Sequence, residues 1–246
     1  MNIAIIPSRF GSKRFNGKPL SLIKNKPMIQ WVYEQAKKAQ NIDQVVVATD
    51  DERIFKTVKD FGGQAMMTSS DLKSGTDRVA QTANLLNAGP DEVIINIQGD
   101  QPVFNPECID QMTAPFKKDP DILMSTLAFQ IMDKKEITNP SDVKVTFDDN
   151  GMALYFSRSQ IPYPRDDDSD TVFYKHLGFY AYKKKFLDII SSLEGTRLES
   201  IEKLEQLRVL EYGYKIKVVV TQHDSLSVDI PEDIERIEKK YFAEYY

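Results

Sequence analysis

The sequence is short of the residues that most often announce a chemistry. One cysteine, Cys108, occurs in 246 residues, which excludes an intrachain disulfide and points to a reducing compartment. Only two histidines occur. His176 lies in an aromatic-rich run, where a lone histidine is more often structural than catalytic, and His223 in "QHDS" reads as a surface residue. Positive charge is not in excess: 32 Lys and Arg face 37 Asp and Glu, a net charge of −5. That balance gives no global basic field for nucleic acid, so any anion site must be local. No long apolar run occurs. The N-terminal stretch Ile3 to Pro7 is far too short for a signal or membrane segment, so a cytoplasmic protein without membrane insertion is expected. Internal repeats and low-complexity linkers are also missing, and the densest charge run, Asp166 to Asp168, reads as a solvated loop.

What is present is a regular alternation. The chain is long enough for one large domain with a sizeable core. "NIAIIP", "QVVVAT", "QAMMT", "EVIINIQ" and "ILMSTLAF" are apolar runs of strand length. Between them, "PMIQWVYEQAKKAQ", "DERIFKTVKDFG", "GTDRVAQTANLLN" and "PECIDQMTAPFKK" carry helical signals. In the first of these, Met28, Ile29, Val32, Tyr33 and Ala36 recur at helical spacing, and Pro27 suits a first helical turn. This order predicts an α/β fold with a wound, mostly parallel sheet. The C-terminal half differs. "VKVTFDDNGMALYFSR" reads as a hairpin turning at Asp149-Asn150-Gly151, and "VFYKHLGFYAY" as another strand. A small β-rich lobe is therefore expected over roughly 140–182 of a single 1–246 domain. "LESIEKLEQLRVLEYG" reads as one amphipathic helix on Ile201, Leu204, Leu207 and Leu210, "KIKVVVTQ" as a strand, and "PEDIERIEKKYF" as a terminal helix.

The stretch "IIPSRFGSKRFNGKPL" almost spells a phosphate loop. Five residues rather than four separate Gly11 from Gly17-Lys18, and Pro19 stands where Ser or Thr would hold a metal. Arg9, Arg14 and Lys18 can still converge on an anion, while the glycines expose backbone N–H groups. The competing reading is a solvated basic loop. In "NIQGDQP", Asp100 follows a buried strand and suits Mg²⁺, or else caps a turn. In "LSVDIPEDIERI", Asp229 is a second oxygen ligand or an N-cap. Ser74, Gly75 and Thr76 open a helix with Arg78 one turn inside, and Glu205 and Gln206 neighbour the apolar stripe of theirs.

Taken in order, "IIPSRFGSKRFNGKPL", "VVVATDDERI", "MTSSDLKSGTDRVA", "INIQGDQP", "ALYFSRSQIPY", "KHLGFYAY", "LEQLRVLEYG" and "VDIPEDIERI" resemble the 3-deoxy-D-manno-octulosonate cytidylyltransferase (CMP-Kdo synthetase) family over nearly the whole chain. The resemblance implies a nucleotidyltransferase-type α/β fold and a homodimeric enzyme that joins CTP and Kdo into CMP-Kdo and pyrophosphate with Mg²⁺, for the lipopolysaccharide inner core. By position it implies Arg9, Ser12, Arg14 and Lys18 as the triphosphate loop, with Ser74, Gly75 and Gln98 also toward the nucleotide. It implies Asp100 and Asp229 as magnesium ligands, and Arg78, Gln101, His176, Tyr180, Glu205 and Gln206 around the sugar acid. Lys18, Asp100 and Asp229 carry the catalytic assignment. Two positions depart from the family pattern: Asn16 replaces a proline, and Gln101 replaces a glutamate. A branch of the family with a similar glutamine activates 8-amino-3,8-dideoxy-manno-octulosonate (Kdo8N) instead. More distant readings are CMP-sialate synthesis and a non-catalytic nucleotide-binding protein of the same fold.

Overall fold

A computed structural model describes residues 1–11, 15–166 and 171–241. Its first half runs β1 (Asn2–Ser8), a 3₁₀ turn (Lys18–Leu20), β2 (Leu22–Ile23), β3 (Lys26–Pro27), α1 (Met28–Ala36), β4 (Gln44–Thr49), α2 (Glu52–Asp60), β5 (Ala65–Met67) and α3 (Gly75–Leu85). It continues with β6 (Val93–Asn96), α4 (Glu107–Lys118), β7 (Met124–Gln130) and α5 (Lys134–Thr138). The second half adds β8 (Lys144–Phe147), β9 (Ala153–Ser157), β10 (Tyr174–Lys183), α6 (Lys184–Ser192), α7 (Arg197–Glu202), α8 (Gln206–Glu211), β11 (Lys217–Thr221) and α9 (Glu232–Tyr241).

The main sheet has the order β11-β7-β10-β6-β1-β4-β5. β1 pairs in parallel with β4 and β6, β4 with β5, and β7 with β11. β10 alone on this path runs against both neighbours, β6 and β7. The β8–β9 hairpin, turned at Gly151 as expected, joins the same sheet through β10. The predicted lobe is thus an extension of the sheet, and β10 is a central strand.

Side-chain alternation along the strands splits the interior into two layers. Ala4, Ile6 and Ile95 face α1, α2 and α4 through Ile29, Val32, Val58 and Met112. Ile3, Ile5 and Ile94 face α3, α6 and α8 through Val79, Phe186 and Leu207. The five apolar positions predicted for α1 are its buried ones. Pro27 stands just outside that helix with extended backbone, at φ −53° and ψ 138°, so it precedes the first turn rather than entering it. Cys108, near the start of α4, is fully buried beside Thr221, and burial raises its thiol pKa.

One expectation fails. The single helix predicted across Ile201 to Leu210 is two, α7 and α8, because Lys203 adopts a left-handed conformation at φ 55°. Leu204 and Leu207 turn into the core, whereas Ile201 points outward, 65% exposed. Arg208 ties the pieces together through both oxygens of Glu199, at 2.7 and 2.6 Å. Helices α5 and α6 also lie outside the sequence-based expectations. Among the described residues no helix is long and apolar enough to cross a membrane.

A third, smaller cluster positions the C-terminus. Ile23 and Met28 pack with Val228 and Ile237, bringing the end of the chain against the segment after β1. The Lys24 amide adds a hydrogen bond to Glu238, 2.7 Å.

Candidate active site

The cationic stretch after β1 is gathered at its base. Gly17 N–H donates to the Phe10 carbonyl at 2.9 Å, and Gly17 is left-handed at φ +71°. A Cβ there would meet the Phe10 ring at 3.1 Å, so glycine serves both the turn and the contact. Arg53 lies over that ring, 3.3 Å from its centroid. Arg9 and Lys18 line one cleft of about 280 Å³ together with Ser74, Gly75 and Gln98. Ser12 and Arg14 lie outside the described residues. Ser74 caps α3 in a reciprocal box with Asp77, so it is the helix cap as well as a cleft residue.

Asp100 follows β6 through Gly99. A Cβ on Gly99 would come within 2.7 Å of Ser8 Oγ and 3.1 Å of the Pro7 carbonyl, so only glycine lets the ends of β6 and β1 approach this closely. Asp100 does not cap a helix; α4 begins at Glu107, and the carboxylate receives Lys18 Nζ at 2.7 Å. The same ammonium donates to the Val228 carbonyl at 2.9 Å. Val228 N–H in turn donates to the Asp100 carbonyl at 2.8 Å, and Leu226 N–H to Val103 at 3.1 Å. This short antiparallel ladder sets the segment carrying Asp229 beside the one carrying Asp100. The amides of Asp229 and Ile230 are taken by the Asp233 carboxylate at 2.8 and 3.1 Å, so Asp233 serves the head of α9. Both Asp100 and Asp229 line a second, larger cleft of about 420 Å³.

Those two carboxylates fit magnesium in kind and number. They are hard oxygen donors, and no cluster of three or more acidic, His or Cys ligands occurs among the described residues. Magnesium is commonly held by one or two carboxylates, with phosphate oxygens and water completing the shell.

The larger cleft also receives His176, Tyr180, Gln101, Glu205 and Gln206. A bulge in β10 between His176 and Tyr180, with Gly178 at φ +76°, redirects this part of the strand. Thr126 donates its hydroxyl proton to the Phe179 carbonyl at 2.6 Å and therefore accepts from His176 Nε2–H at 2.8 Å. That bond fixes the tautomer and leaves Nδ1 as the acceptor. Burial pushes the imidazole pKa down to about 3, so His176 is neutral at neutral pH. Burial likewise raises the Tyr180 pKa well above its ordinary value, the charge interactions with Tyr182 and Glu205 add to the rise, and the phenol stays a neutral donor. Glu205 opens toward solvent through the cleft, yet burial raises its carboxyl, opposed by a 2.7 Å hydrogen bond from Thr76. Gln101 donates Nε2–H to the Leu177 carbonyl at 2.6 Å and has no partner on its buried Oε1. Gln206 has an unpartnered buried Nε2.

Arg78 stands apart from the other residues carried to the sugar side. Its guanidinium is buried against Asp50 at 2.7 Å and against Thr68, and it borders the smaller cleft. Conversely, the larger cleft contains cations that sequence reasoning left unassigned: Arg158, Lys175 and Lys203. Arg158 closes the motif "ALYFSR", which was the available signal. Lys175 sits between Glu136 and Asp224, each at 3.0 Å; burial alone would lower its pKa, but the two carboxylates outweigh it and hold the ammonium above its ordinary value. Gly75, Gln98, Asp100 and Glu205 border both clefts, so the two meet there.

The pattern that defines the cytidylyltransferase family matches residues 3–216. A 3-deoxy-manno-octulosonate cytidylyltransferase of Desulfosudis oleivorans is 57% identical over 96% of this chain and 95% of its own length. An 8-amino-3,8-dideoxy-manno-octulosonate cytidylyltransferase of Shewanella baltica is 50% identical over 98% of each chain. Among solved structures, CMP:2-keto-3-deoxy-manno-octonic acid synthetase complexed with CTP superposes with a TM-score of 0.92, at 39% identity, over 100% of this chain and 99% of the other.

Proposed function

The chain belongs to the cytidylyltransferase family, and from that premise we propose that it transfers CMP from CTP to the anomeric hydroxyl of a 3-deoxy-manno-octulosonate. The hydroxyl oxygen attacks the α-phosphorus, the bond to the β-phosphate oxygen breaks, and pyrophosphate leaves in line. The hydroxyl proton passes to solvent. The observation that carries this reading is the meeting of the two clefts at Asp100, one bearing Arg9 and Lys18 and the other combining neutral hydrogen-bonding groups and acids with the cations Arg158, Lys175 and Lys203.

We assign the smaller cleft to the nucleotide. Arg9 and Lys18 gather the triphosphate, with Arg14 and Ser12 carried along from the motif, and Ser74, Gly75 and Gln98 hold the nucleoside end. We assign the larger cleft to the sugar acid, whose hydroxyls meet His176, Tyr180, Glu205 and Gln206 and whose carboxylate meets the cations at the cleft wall. Asp100 and Asp229 would hold Mg²⁺. Magnesium bound there would supply charge compensation at the phosphoryl group and a lower pKa for the attacking hydroxyl. The protein itself acts mainly by positioning, since no side-chain nucleophile is required. Lys18 neutralises Asp100 across 2.7 Å, and a bound triphosphate would compete for the same ammonium.

The test is pyrophosphate release with CTP, Mg²⁺ and each candidate octulosonate. No release with any of them overturns the reaction. The same reaction on the 8-amino sugar is the second reading, favoured by the buried, unpartnered Oε1 of Gln101, an acceptor suited to an ammonium donor. Competing kcat/KM values for the two sugars decide between them. We extend the reading to a cytoplasmic homodimer whose CMP-sugar serves the lipopolysaccharide inner core. Exposed apolar side chains on the hairpin side, Leu154 at 63% and Tyr163 at 82%, support an interface there; the oligomeric mass in solution tests it.

A further inference from the structure

Lys144 is a fully buried charged side chain outside every role assigned so far. It lies on β8, opposite Ser157 of β9 and Lys175 of β10. Its ammonium donates to three acceptors, the carbonyls of Asn139 at 2.8 Å, Asp142 at 2.6 Å and Arg158 at 2.7 Å. An ammonium has three donors and no acceptor, so this set is complete. All three partners are backbone carbonyls, the ligand type a dehydrated monovalent cation would take.

The segments held this way are not remote. Ser141, Asp142, Val143 and Arg158 line the larger cleft. The Arg158 guanidinium adds a second tie, donating to the Pro140 carbonyl at 2.9 Å and to the Glu202 carbonyl at 2.7 Å. Glu202 returns its carboxylate to the Arg158 amide at 3.0 Å and to Ser157 at 2.7 Å. Three residues on, Glu205 and Gln206 enter the cleft. One internal cation therefore links the 139–142 turn, the backbone of Arg158 and, through Arg158, the junction between α7 and α8. Among the described residues, none of these hydrogen bonds involves Arg9 or Lys18 of the smaller cleft.

We propose that Lys144 is a positioning residue for the acceptor sugar, an internal cation that fixes the wall of the larger cleft through the carbonyls of Asn139, Asp142 and Arg158. It sets sugar affinity without touching the sugar. This role rests on the assignment of that cleft to the sugar acid.

The experiment measures both KM values in Lys144→Met and Lys144→Ala, using pyrophosphate release. Loss of the cation lets the wall shift, and a displacement near 1 Å costs up to about 10²-fold. We expect the sugar KM to rise by about tenfold or more while the CTP KM stays within about twofold. Lys144→Ala leaves a carbonyl-lined hole, so added methylammonium restores its sugar KM; in Lys144→Met the hole is filled and methylammonium does nothing. Equal rises in both KM values, or no methylammonium response in Lys144→Ala, overturns the proposal. If neither variant folds, ¹⁵N-lysine spectra of the wild-type protein decide: one slowly exchanging ammonium that shifts with sugar acid and not with CTP is expected. Its absence, or a response to CTP alone, overturns the role. A wild-type protein that releases no pyrophosphate takes the reaction and this role down together, whereas an active wild type with an unaltered sugar KM in Lys144→Met refutes the role of Lys144 alone.

Discussion

The smaller cleft and the larger cleft share a border but are built on different principles. The smaller one lies beyond the C-terminal ends of parallel strands, where β1 leads into the Arg9–Lys18 stretch and β6 into Gly99-Asp100. Its character is ionic, and most of its lining follows β1, β5 or β6 in sequence. The larger one is built around β10, which runs the other way, and its functional side chains on that strand fall between Lys175 and Tyr180. The rest arrive from separate segments near 142, 158, 205 and 229. Burial keeps His176 and Tyr180 neutral there, beside the cations Arg158, Lys175 and Lys203 that suit the sugar's carboxylate. A triphosphate demands charge, and a polyhydroxylated sugar demands oriented neutral hydrogen bonds. The two walls match those demands.

Asp100 belongs to both sides, so its removal tests the border itself. Asp100→Asn is expected to lower kcat on the order of 10³-fold, the effect of several kcal/mol of lost charge stabilisation. The circular dichroism spectrum should be unchanged. Near-normal CMP-sugar formation would show that the clefts do not converge on this carboxylate.

Lys18 sharpens the contrast from one side. Lys18→Met should raise the CTP KM by about tenfold to a hundredfold, as loss of a charge-assisted contact of about 1.5–3 kcal/mol implies. The sugar KM should hardly move. Because Lys18 pairs with Asp100, the same variant should bind Mn²⁺ more tightly than wild type without nucleotide, measured by titration calorimetry. Equal Mn²⁺ affinity would mean that the ammonium does not compete with the metal.

Gly178 tests the other wall. At φ +76° an alanine bears about 1–2 kcal/mol of strain, so Gly178→Ala should lose about 2–8 °C in Tm. The shifted bulge should raise the sugar KM several-fold and leave CTP binding unaffected. A selective CTP defect would reverse the assignment of the two clefts.

The smallest effect is acid sensitivity from His176. Its folded pKa, about 3, lies below the ordinary 6.5. The unfolded chain therefore binds the proton first, and this contribution is complete above pH 6.5 and declines as pH falls toward 3. Wild-type Tm should drop more steeply than that of His176→Asn between pH 6.5 and 4.5. Parallel curves would mean the imidazole is not held neutral by the fold.

The same contrast explains what was readable from sequence. The cationic stretch, Gly99-Asp100 and the Ser74 helix start each follow a strand within a few residues, so apolar runs and turn residues located them. The reversal of β10 left no local mark, because its apolar content suits either direction. The break between α7 and α8 has no glycine or proline at its centre. Lys203 is left-handed because Glu202 is tied to Ser157 and Arg158 while Leu204 and Leu207 turn into the core. Arg78 was carried to the sugar side by position alone, yet its pairing with Asp50 depends on tertiary contacts that no spacing encodes. Arg158 was visible in its motif, but its backbone ties to Lys144 and Glu202 were not.

Cys108 has a practical corollary. The sole thiol of the chain is sealed against Thr221 with its ionisation suppressed. A cysteine introduced at any open position thus becomes the single thiol a maleimide readily reaches. With two such cysteines, one on the hairpin and one on the α7–α8 junction, paired fluorophores or spin labels would report whether those walls stay fixed when substrates arrive, with no background from the native chain.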